Sequence, residues 1–225
     1  MGTSETKAET RTPLTRERVL RAAVALADRE GLESLTMRKL ADELGAGAMS
    51  LYHYVPNKEQ LLAGMIDIVF SEIELPTTDV DWKTAMRRRA LSTRAALNRH
   101  RWAVGRMEGT HTGLANARVH DAVLGCLRQA GFSIEMTVQA MSVQDAYIYG
   151  FALQEKDVPF ETAEESAEVA ARQGWDDEAL AKEFPNLAEV VAGHVAKVGY
   201  DFTEAFEYGL DLILDALEER RLSAQ

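Results

Sequence analysis

The chain of 225 residues is long enough for one large domain or two smaller ones, and 46% of its residues are apolar. This composition excludes a disordered or collagen-like chain. No run approaches the ~18 apolar residues of a membrane span, and the polar segment 1–13 lacks the apolar core of a secretory signal. Cys126 is the only cysteine, which excludes an intrachain disulfide and a cysteine-based zinc site. We therefore expect a cytoplasmic protein without a membrane partner.

The net charge of −11 is unevenly distributed along the chain. Residues 1–64 hold nine Lys or Arg and nine Asp or Glu, so the excess of negative charge belongs to residues 65–225. An acidic chain usually binds nucleic acid poorly, because contacts with phosphates dominate the affinity. The neutral first part can nevertheless approach DNA through a local basic patch.

Apolar residues recur with a helical period along the first 70 residues. Thr15, Thr36 and Asn57 are predicted N-caps, and Gly31 and Gly45 are predicted stops. Pro56 disfavours a helical residue before it, so a helix preceding it must end by 55. The predicted helices of this part are 16–30, 37–44, 48–55 and a fourth that begins at 58.

Helical periodicity continues in the second part, after a predicted loop at 76–81. Ser133 follows a turn signal and is a predicted N-cap. The segment 155–189 holds 11 acidic and 3 basic residues and predicts a mobile acidic connection with one or two short helices. No strand alternation of useful length is visible, so the predicted fold class is all-α. The predicted helices of this part are 82–98, 101–108, 116–130, 134–155 and 200–221.

Two short helices with a tight, glycine-containing turn at 35–58 predict a helix-turn-helix. In such a unit the second helix presents its N-terminal side chains to base edges in the major groove. The segment 45–48 consists of small residues that allow close approach to DNA. Lys58 opens the next helix, where its ammonium and the helix N-terminus can hold a phosphate. Polar groups that can meet phosphates or bases follow the turn at Ser50, Tyr52, His53 and Tyr54. An ordinary helical core fits the same pattern.

The segment 14–64 resembles the DNA-binding domain of the TetR family of bacterial transcriptional repressors. The resemblance implies an all-α homodimer with an N-terminal three-helix head for operator DNA and a C-terminal helical body for ligand binding and dimerisation. It divides the chain into a disordered tail at 1–13, a head at 14–64 and a body at 65–225. The matching residues are Arg29-Glu30-Gly31, Leu35-Thr36-Met37-Arg38-Lys39-Leu40-Ala41, Leu44-Gly45, Leu51-Tyr52-His53-Tyr54-Val55, Asn57-Lys58-Glu59 and Leu61-Leu62.

The resemblance also implies which residues meet double-stranded operator DNA. Phosphate contacts fall on Thr36, Tyr52 and Lys58. Base contacts fall on Arg38, Gly47, Ala48, Met49, Ser50 and Tyr54. Arg38 is the strongest candidate, because an arginine can bridge O6 and N7 of guanine. Gly47, Ala48 and Met49 offer only backbone and apolar contact, which favours contact with a thymine methyl group.

The body resembles, more weakly, the tetracycline-repressor branch of that family. The resemblance implies a dimer formed by helices 134–155 and 200–221 of each subunit. The second helix has a wide apolar face that needs either a partner helix or an intrachain core; it carries Phe202, Phe206, Leu210, Ile213, Leu214 and Leu217. The matching segments include Gln129-Ala130-Gly131-Phe132-Ser133, Gly150-Phe151-Ala152-Leu153 and Phe206-Glu207-Tyr208-Gly209-Leu210-Asp211-Leu212-Ile213.

Candidate ligand contacts in the body come from two sources. Pocket-lining positions of that branch match Arg89, Thr93, His111 and Gln144. Three further candidate contacts have flexible or aromatic side chains, although such residues also form ordinary cores; they are Met107, Met141 and Tyr147. Tetracycline repressors hold a magnesium–drug complex with a histidine and a carboxylate, and the matching positions here are Met107 and Gln154. Neither suits a hard cation, so we expect no metal, no cofactor and an inducer other than magnesium–tetracycline.

The leading hypothesis is a repressor that a small molecule releases from a palindromic operator. A second hypothesis is a helical ligand-binding or scaffold protein without operator function. A third is an enzyme built on Glu108, His111 and His120, although no nucleophile motif, phosphate loop or zinc spacing supports one. The acidic segment 155–189 fits a solvated loop, a gate over the pocket or a segment that repels DNA.

Overall fold

The structure is a computed structural model that describes residues 13–107, 113–160, 162–172 and 178–224. All regular secondary structure within these ranges is helical, which confirms the all-α fold. The candidates Glu108 and His111 and the predicted tail up to residue 12 lie outside the described residues. In the described part of the chain, no helix is long and apolar enough to cross a membrane.

Twelve α-helices are described, numbered here in chain order. The first part contains α1 (Arg16–Glu30), α2 (Met37–Leu44), α3 (Ala48–Leu51) and α4 (Lys58–Ser71). The second part contains α5 (Trp82–Arg99), α6 (Leu114–Gln129), α7 (Ile134–Lys156), α8 (Ala163–Arg172), α9 (Glu178–Glu183), α10 (Pro185–Val190), α11 (Ala196–Val198) and α12 (Phe202–Ser223). Helices α8 and α9 lie wholly within the acidic segment 155–189, where short helices were expected.

The predicted caps fix the helix starts of the first part. Thr15, Thr36 and Asn57 each accept a hydrogen bond from the backbone N–H three residues later, at 3.2, 3.2 and 2.8 Å. Gly31 and Gly45 follow α1 and α2 with φ of 80° and 59°, a conformation that favours glycine. The predicted starts of α1, α2 and α4 are therefore confirmed.

One helix ends before its predicted limit and another is replaced by a shorter turn. Helix α3 ends at Leu51, before the limit that Pro56 sets at Val55, and the N–H groups of Tyr54 and Val55 close a turn on the carbonyl of Leu51. The predicted helix 101–108 is a single 3-10 turn, Arg101–Ala103. Gly105 then takes a φ of 75°, which stops helical propagation.

Helix α4 joins the first part to the second. It packs against α1 on one side and against α6 on the other, and a single apolar core runs through both parts. The predicted boundary between residues 64 and 65 falls inside this continuous helix. Head and body, defined as residues 14–64 and 65–225, are thus mechanically connected through α4.

The body is a layered helical bundle. Helix α5 packs against α6 and α7, and α12 packs against α7. Ion pairs from Lys83 and Arg87 on α5 reach three carboxylates of α12, at Glu207, Asp211 and Asp215. These contacts leave α5 between α6, α7 and α12, so side chains on its inner faces are buried.

Candidate DNA-binding surface and ligand site

Helices α2 and α3 form the predicted helix-turn-helix. The turn between them begins at Gly45, whose left-handed backbone allows its N–H to bond back to the carbonyls of Ala41 and Asp42. Leu40, Ala41 and Leu51 are buried and fix the two helices against the rest of the head. The inward faces are thus committed to the core, and the outward faces remain free for DNA.

The candidate DNA contacts are mostly on the outside of the head. Met49 is 78% exposed and Tyr52 is 41% exposed. Thr36, Arg38, Gly47 and Lys58 are exposed, whereas Ala48, Ser50 and Tyr54 are half-buried. The Ser50 hydroxyl donates to the carbonyl of Gly47 at 2.6 Å, so its oxygen is left as an acceptor.

The cations of the head fall into two groups. Arg29 and Lys39 each form an ion pair of 3.0 Å, with Glu43 and Glu30 respectively. The side chains of Arg38 and Lys58 have no ion pair or hydrogen bond among the described residues, so both charges face solvent. Thr36 and Lys58 also stand at the N-termini of α2 and α4, where the helix dipole favours an anion.

The candidate ligand contacts of the body differ in burial. Arg89 is 2% exposed, while Thr93 and Gln144 are fully buried. Met107 is also buried, whereas Met141 and Tyr147 are half-buried. Arg89 and Gln144 stand on facing helices, because Arg89 Nη2 donates to Oδ1 of Asp145 on α7 at 2.5 Å. Among the described polar candidates, Arg89 and Thr93 thus lie on α5 and Gln144 lies on α7, the helix that α5 packs against.

Two of these polar residues are incompletely hydrogen-bonded. Within the described structure, Arg89 Nε and Nη1 and Gln144 Oε1 are buried and have no hydrogen-bond partner. Leaving a buried donor or acceptor unpaired costs about 1–3 kcal/mol, and more for a charged group. Such groups therefore mark a place where a further molecule can bind.

Two hydroxyls of the candidate set are already used within the protein. Thr93 Oγ1 donates to the carbonyl of Arg89 one turn earlier, at 2.8 Å. The Tyr147 hydroxyl donates to the carbonyl of Phe206 at 2.9 Å and ties α7 to α12. Burial raises the pKa of Tyr147, which keeps that hydroxyl protonated.

The positions that hold magnesium in tetracycline repressors do not fit a hard cation here. Met107 is buried and offers only a thioether, and Gln154 is exposed on α7. Magnesium prefers carboxylate and water oxygens in an octahedral arrangement. The residues present at these two positions therefore do not support a magnesium-bound ligand.

A polar cluster between head and body was not predicted from the sequence. His100 is 3% exposed, and its Nδ1 lies 2.9 Å from Oδ1 of Asp28 on α1. Its Nε2 lies 3.2 Å from the Glu72 carboxylate that follows α4, and Trp102 Nε1 donates to Asp28 at 2.7 Å. The only sequence signal was the presence of a histidine and a tryptophan near each other, since their partners lie 28–74 residues away.

Part of the apolar face of α12 forms an intrachain core, which is one of the two alternatives that the sequence left open for it. Phe206, Leu210 and Leu214 are buried within the chain, because α12 turns that face toward the body core. The exposed large apolar residues of this helix are Tyr208, Leu212 and Leu222, at 69%, 56% and 56%. On α7 the exposed apolar residues are Ile134, Val138, Val143 and Leu153.

Comparisons with known proteins agree with this architecture. Residues 19–65 match the profile of bacterial regulatory proteins of the tetR family, and residues 75–221 match the tetracyclin repressor-like C-terminal domain. The chain belongs to the TetR family. It is a DNA-binding transcriptional regulator of the ligand-responsive type.

The relatives of this TetR-family chain are repressors. It is 36% identical over 218 residues to the HTH-type transcriptional repressor DrrR1 of Streptomyces coeruleorubidus, covering 91% of this chain and 77% of the relative. It is 31% identical over 207 residues to the class A tetracycline repressor from transposon 1721 in Escherichia coli, covering 91% and 90%. Among solved structures, ActR of Streptomyces coelicolor with bound actinorhodin has a TM-score of 0.76 at 27% identity, over 93% of this chain and 99% of that one.

Proposed function

We propose that this protein is a homodimeric repressor that binds a near-palindromic operator and is released from it by a small molecule. The observation that carries the proposal is the exposed, unpaired state of Arg38 and Lys58 beside neighbours whose charges are neutralised. A dimer sets two such heads on successive major-groove faces, which explains a two-fold operator. Ligand-bound ActR supports a ligand site in the body.

The DNA contacts divide into two roles. Arg38 on α2 reads a guanine, and Met49 at the start of α3 offers its exposed side chain to a thymine methyl. Thr36, Tyr52 and Lys58 hold phosphates and set the register. The rest of the surface that faces DNA consists of small or polar groups, at Gly47, Ala48, Ser50 and Tyr54.

The body is proposed to bind the ligand through Arg89, Thr93, Met107, His111, Met141, Gln144 and Tyr147. Helix α4 connects that body to the head, because Oδ1 of Asp67 accepts hydrogen bonds from the N–H groups of Ala115 and Asn116 at 2.9 and 3.2 Å. A ligand that favours one position of α6 then changes the position of α4 and the spacing of the heads. A catalytic role has no comparable support, since the relatives are repressors.

The test is selection of bound sequences from randomised duplex DNA at a fixed salt concentration. We expect a near-palindromic site. Arg38→Ala then weakens binding to that site about 5- to 150-fold and relaxes the preference at one base pair of each half-site. Lys58→Ala weakens binding to all sequences alike and reduces the slope of log affinity against log salt concentration by about one per head.

Arg21 provides the matched control, because it is exposed on α1 and paired with Glu17 at 2.9 Å. Arg21→Ala is expected to leave the selected sequence unchanged. A folded, dimeric protein that enriches no sequence would reject operator recognition and favour a ligand-binding protein without operator function.

A further inference from the structure

Helix α5 carries two buried arginines with different partners. Arg94 is 9% exposed and all three of its nitrogens are bonded: Nε and Nη2 to the Glu155 carboxylate at 3.0 and 2.6 Å, and Nη1 to Thr203 Oγ1 at 3.2 Å. Arg89 is more deeply buried, yet only its Nη2 is bonded, to Asp145. Arg94 therefore has a complete structural role, whereas Arg89 presents two unused nitrogens to the interior.

Gln144 on α7 has an unused hydrogen-bond acceptor, whereas Arg89 has unused donors. Gln144 Nε2 donates to the carbonyl of Ala140 on the same helix at 3.2 Å. Its Oε1 is buried and unbonded. Gln144 immediately precedes Asp145, the partner of Arg89, so the unused acceptor lies on the same helix that Arg89 contacts, next to the contacted residue in the chain.

We propose that the ligand of this body is an organic acid that places an anionic oxygen on Arg89 and a neighbouring hydroxyl or N–H on Gln144. The inference rests on the proposed ligand-responsive function and specifies the chemical class of its ligand. A guanidinium is always protonated, so its free N–H groups bond to an anion more strongly than to a neutral oxygen.

The surroundings leave two N–H donors of Arg89 to the ligand. Asp145 accepts only from Nη2, and Glu155 is bound to Arg94, so neither carboxylate accepts from Nε or Nη1. Other residues of α5 and α7 are fully buried and apolar, at Met86, Ala90, Leu97 and Ile148. A ligand site among apolar residues binds an apolar skeleton and orients it with a few polar groups.

The experiment uses the full-length dimer and a panel of hydroxynaphthoic acids, each paired with its own methyl ester. Binding is measured by calorimetry at neutral pH. At least one acid is expected to bind at least tenfold more tightly than its ester. A further arm, an ionised dinitronaphthol, tells whether the preferred anionic oxygen is a carboxylate or a phenolate.

Three variants assign the preference to residues. Arg89→Met is expected to bring the affinity of the acid down to that of the ester, with ester binding retained. Arg94→Lys, the matched control, keeps the preference for the acid. For Gln144, each hydroxynaphthoic acid is compared with its methoxy analogue. Wild type is expected to prefer the hydroxy acid, and Gln144→Met is expected to bind both equally.

The proposal is overturned if acid and ester bind wild type equally, if Arg89→Met keeps the acid preference, or if no panel member binds at millimolar concentration. Operator selection by the unliganded protein tests the repressor function separately. If the protein prefers the acid but selects no operator sequence, the repressor function is rejected and the proposed ligand class is retained.

Discussion

Glu218 shows how one carboxylate can tie a terminal helix to the body. Its Oε2 accepts from Arg221 Nε at 2.7 Å and from Trp82 Nε1 at 3.1 Å, and its Oε1 accepts from Arg221 Nη2 at 2.9 Å. The Arg221 hydrogen bonds, with the Trp82 bond added, hold the pKa of Glu218 below its ordinary value. The ionised form is therefore the one that stabilises the fold.

We expect Glu218→Gln to lower the free energy of unfolding by about 1 kcal/mol at neutral pH. A lowered pKa means that the stabilisation is complete above the ordinary glutamate pKa and is lost as the pH falls through the lowered one. Wild type and variant should therefore converge in acid. Urea titrations across pH measure this, with the exposed neighbour Glu219→Gln as the control. A stability difference that does not decrease as the pH falls below the ordinary glutamate pKa would contradict the pKa argument.

At this scale the sequence predicts residue types better than their partners. It singled out Arg89, Thr93 and Gln144, and the structure buries all three. It could not predict that all three nitrogens of Arg94 are hydrogen-bonded while two of Arg89 are not, because the partners lie 56–109 positions away on other helices. The distinction depends on how α5 is rotated against α7 and α12, which no local pattern encodes.

The start of α6 depends on a side chain from another helix. No side chain of its own caps α6, and Asp67 of α4 takes that place by accepting from the N–H groups of Ala115 and Asn116. A Cβ added at Gly113 would collide with the Asp67 carboxylate. Glycine is therefore needed at this position for a close approach between helices.

We expect Gly113→Ala to destabilise the protein by about 1 kcal/mol, because it displaces the carboxylate that caps α6. Gly125→Ala is the matched control on the same helix, since a Cβ there meets nothing within 4 Å. That change should raise stability by about 0.5–1 kcal/mol through the higher helix propensity of alanine. Chemical unfolding measures the free energy of unfolding of both variants. Equal changes in the two would contradict the need for glycine at position 113.

Helix starts and stops in the head are predictable because the cap residue and the N–H that it binds are three positions apart. Thr15, Thr36 and Asn57 confirm this. The predicted helix 101–108 failed because Gly105 takes a positive φ, which apolar periodicity alone does not indicate. The cap from Asp67 was likewise beyond prediction, since it belongs to α4.

At the scale of the whole molecule, α7 and α12 carry apolar side chains that the chain itself does not cover. Val138 and Leu153 on α7 are 55% and 54% exposed, and Tyr208 and Leu212 on α12 are 69% and 56% exposed. Between Val138 and Leu153, small residues recur at Ser142, Ala146 and Gly150. We propose that a second copy of the same two helices covers this face, because small residues let helices approach and a two-fold interface is self-complementary. The sequence predicts a dimer through these two helices, but its apolar pattern did not single out Tyr208 and Leu212 as exposed side chains of α12.

Leu212→Glu should therefore convert the dimer to a folded monomer, since it places a charge at the centre of the proposed four-helix interface, where burying it is unfavourable. Leu75→Glu is the control, because Leu75 is 42% exposed in the loop before α5 and outside that face. Sedimentation velocity at micromolar concentration measures the association state, and circular dichroism verifies the helical content. Operator affinity should fall with the dimer, because a single head makes only half of the phosphate contacts. A Leu212→Glu protein that remains dimeric would place the subunit interface elsewhere on the body.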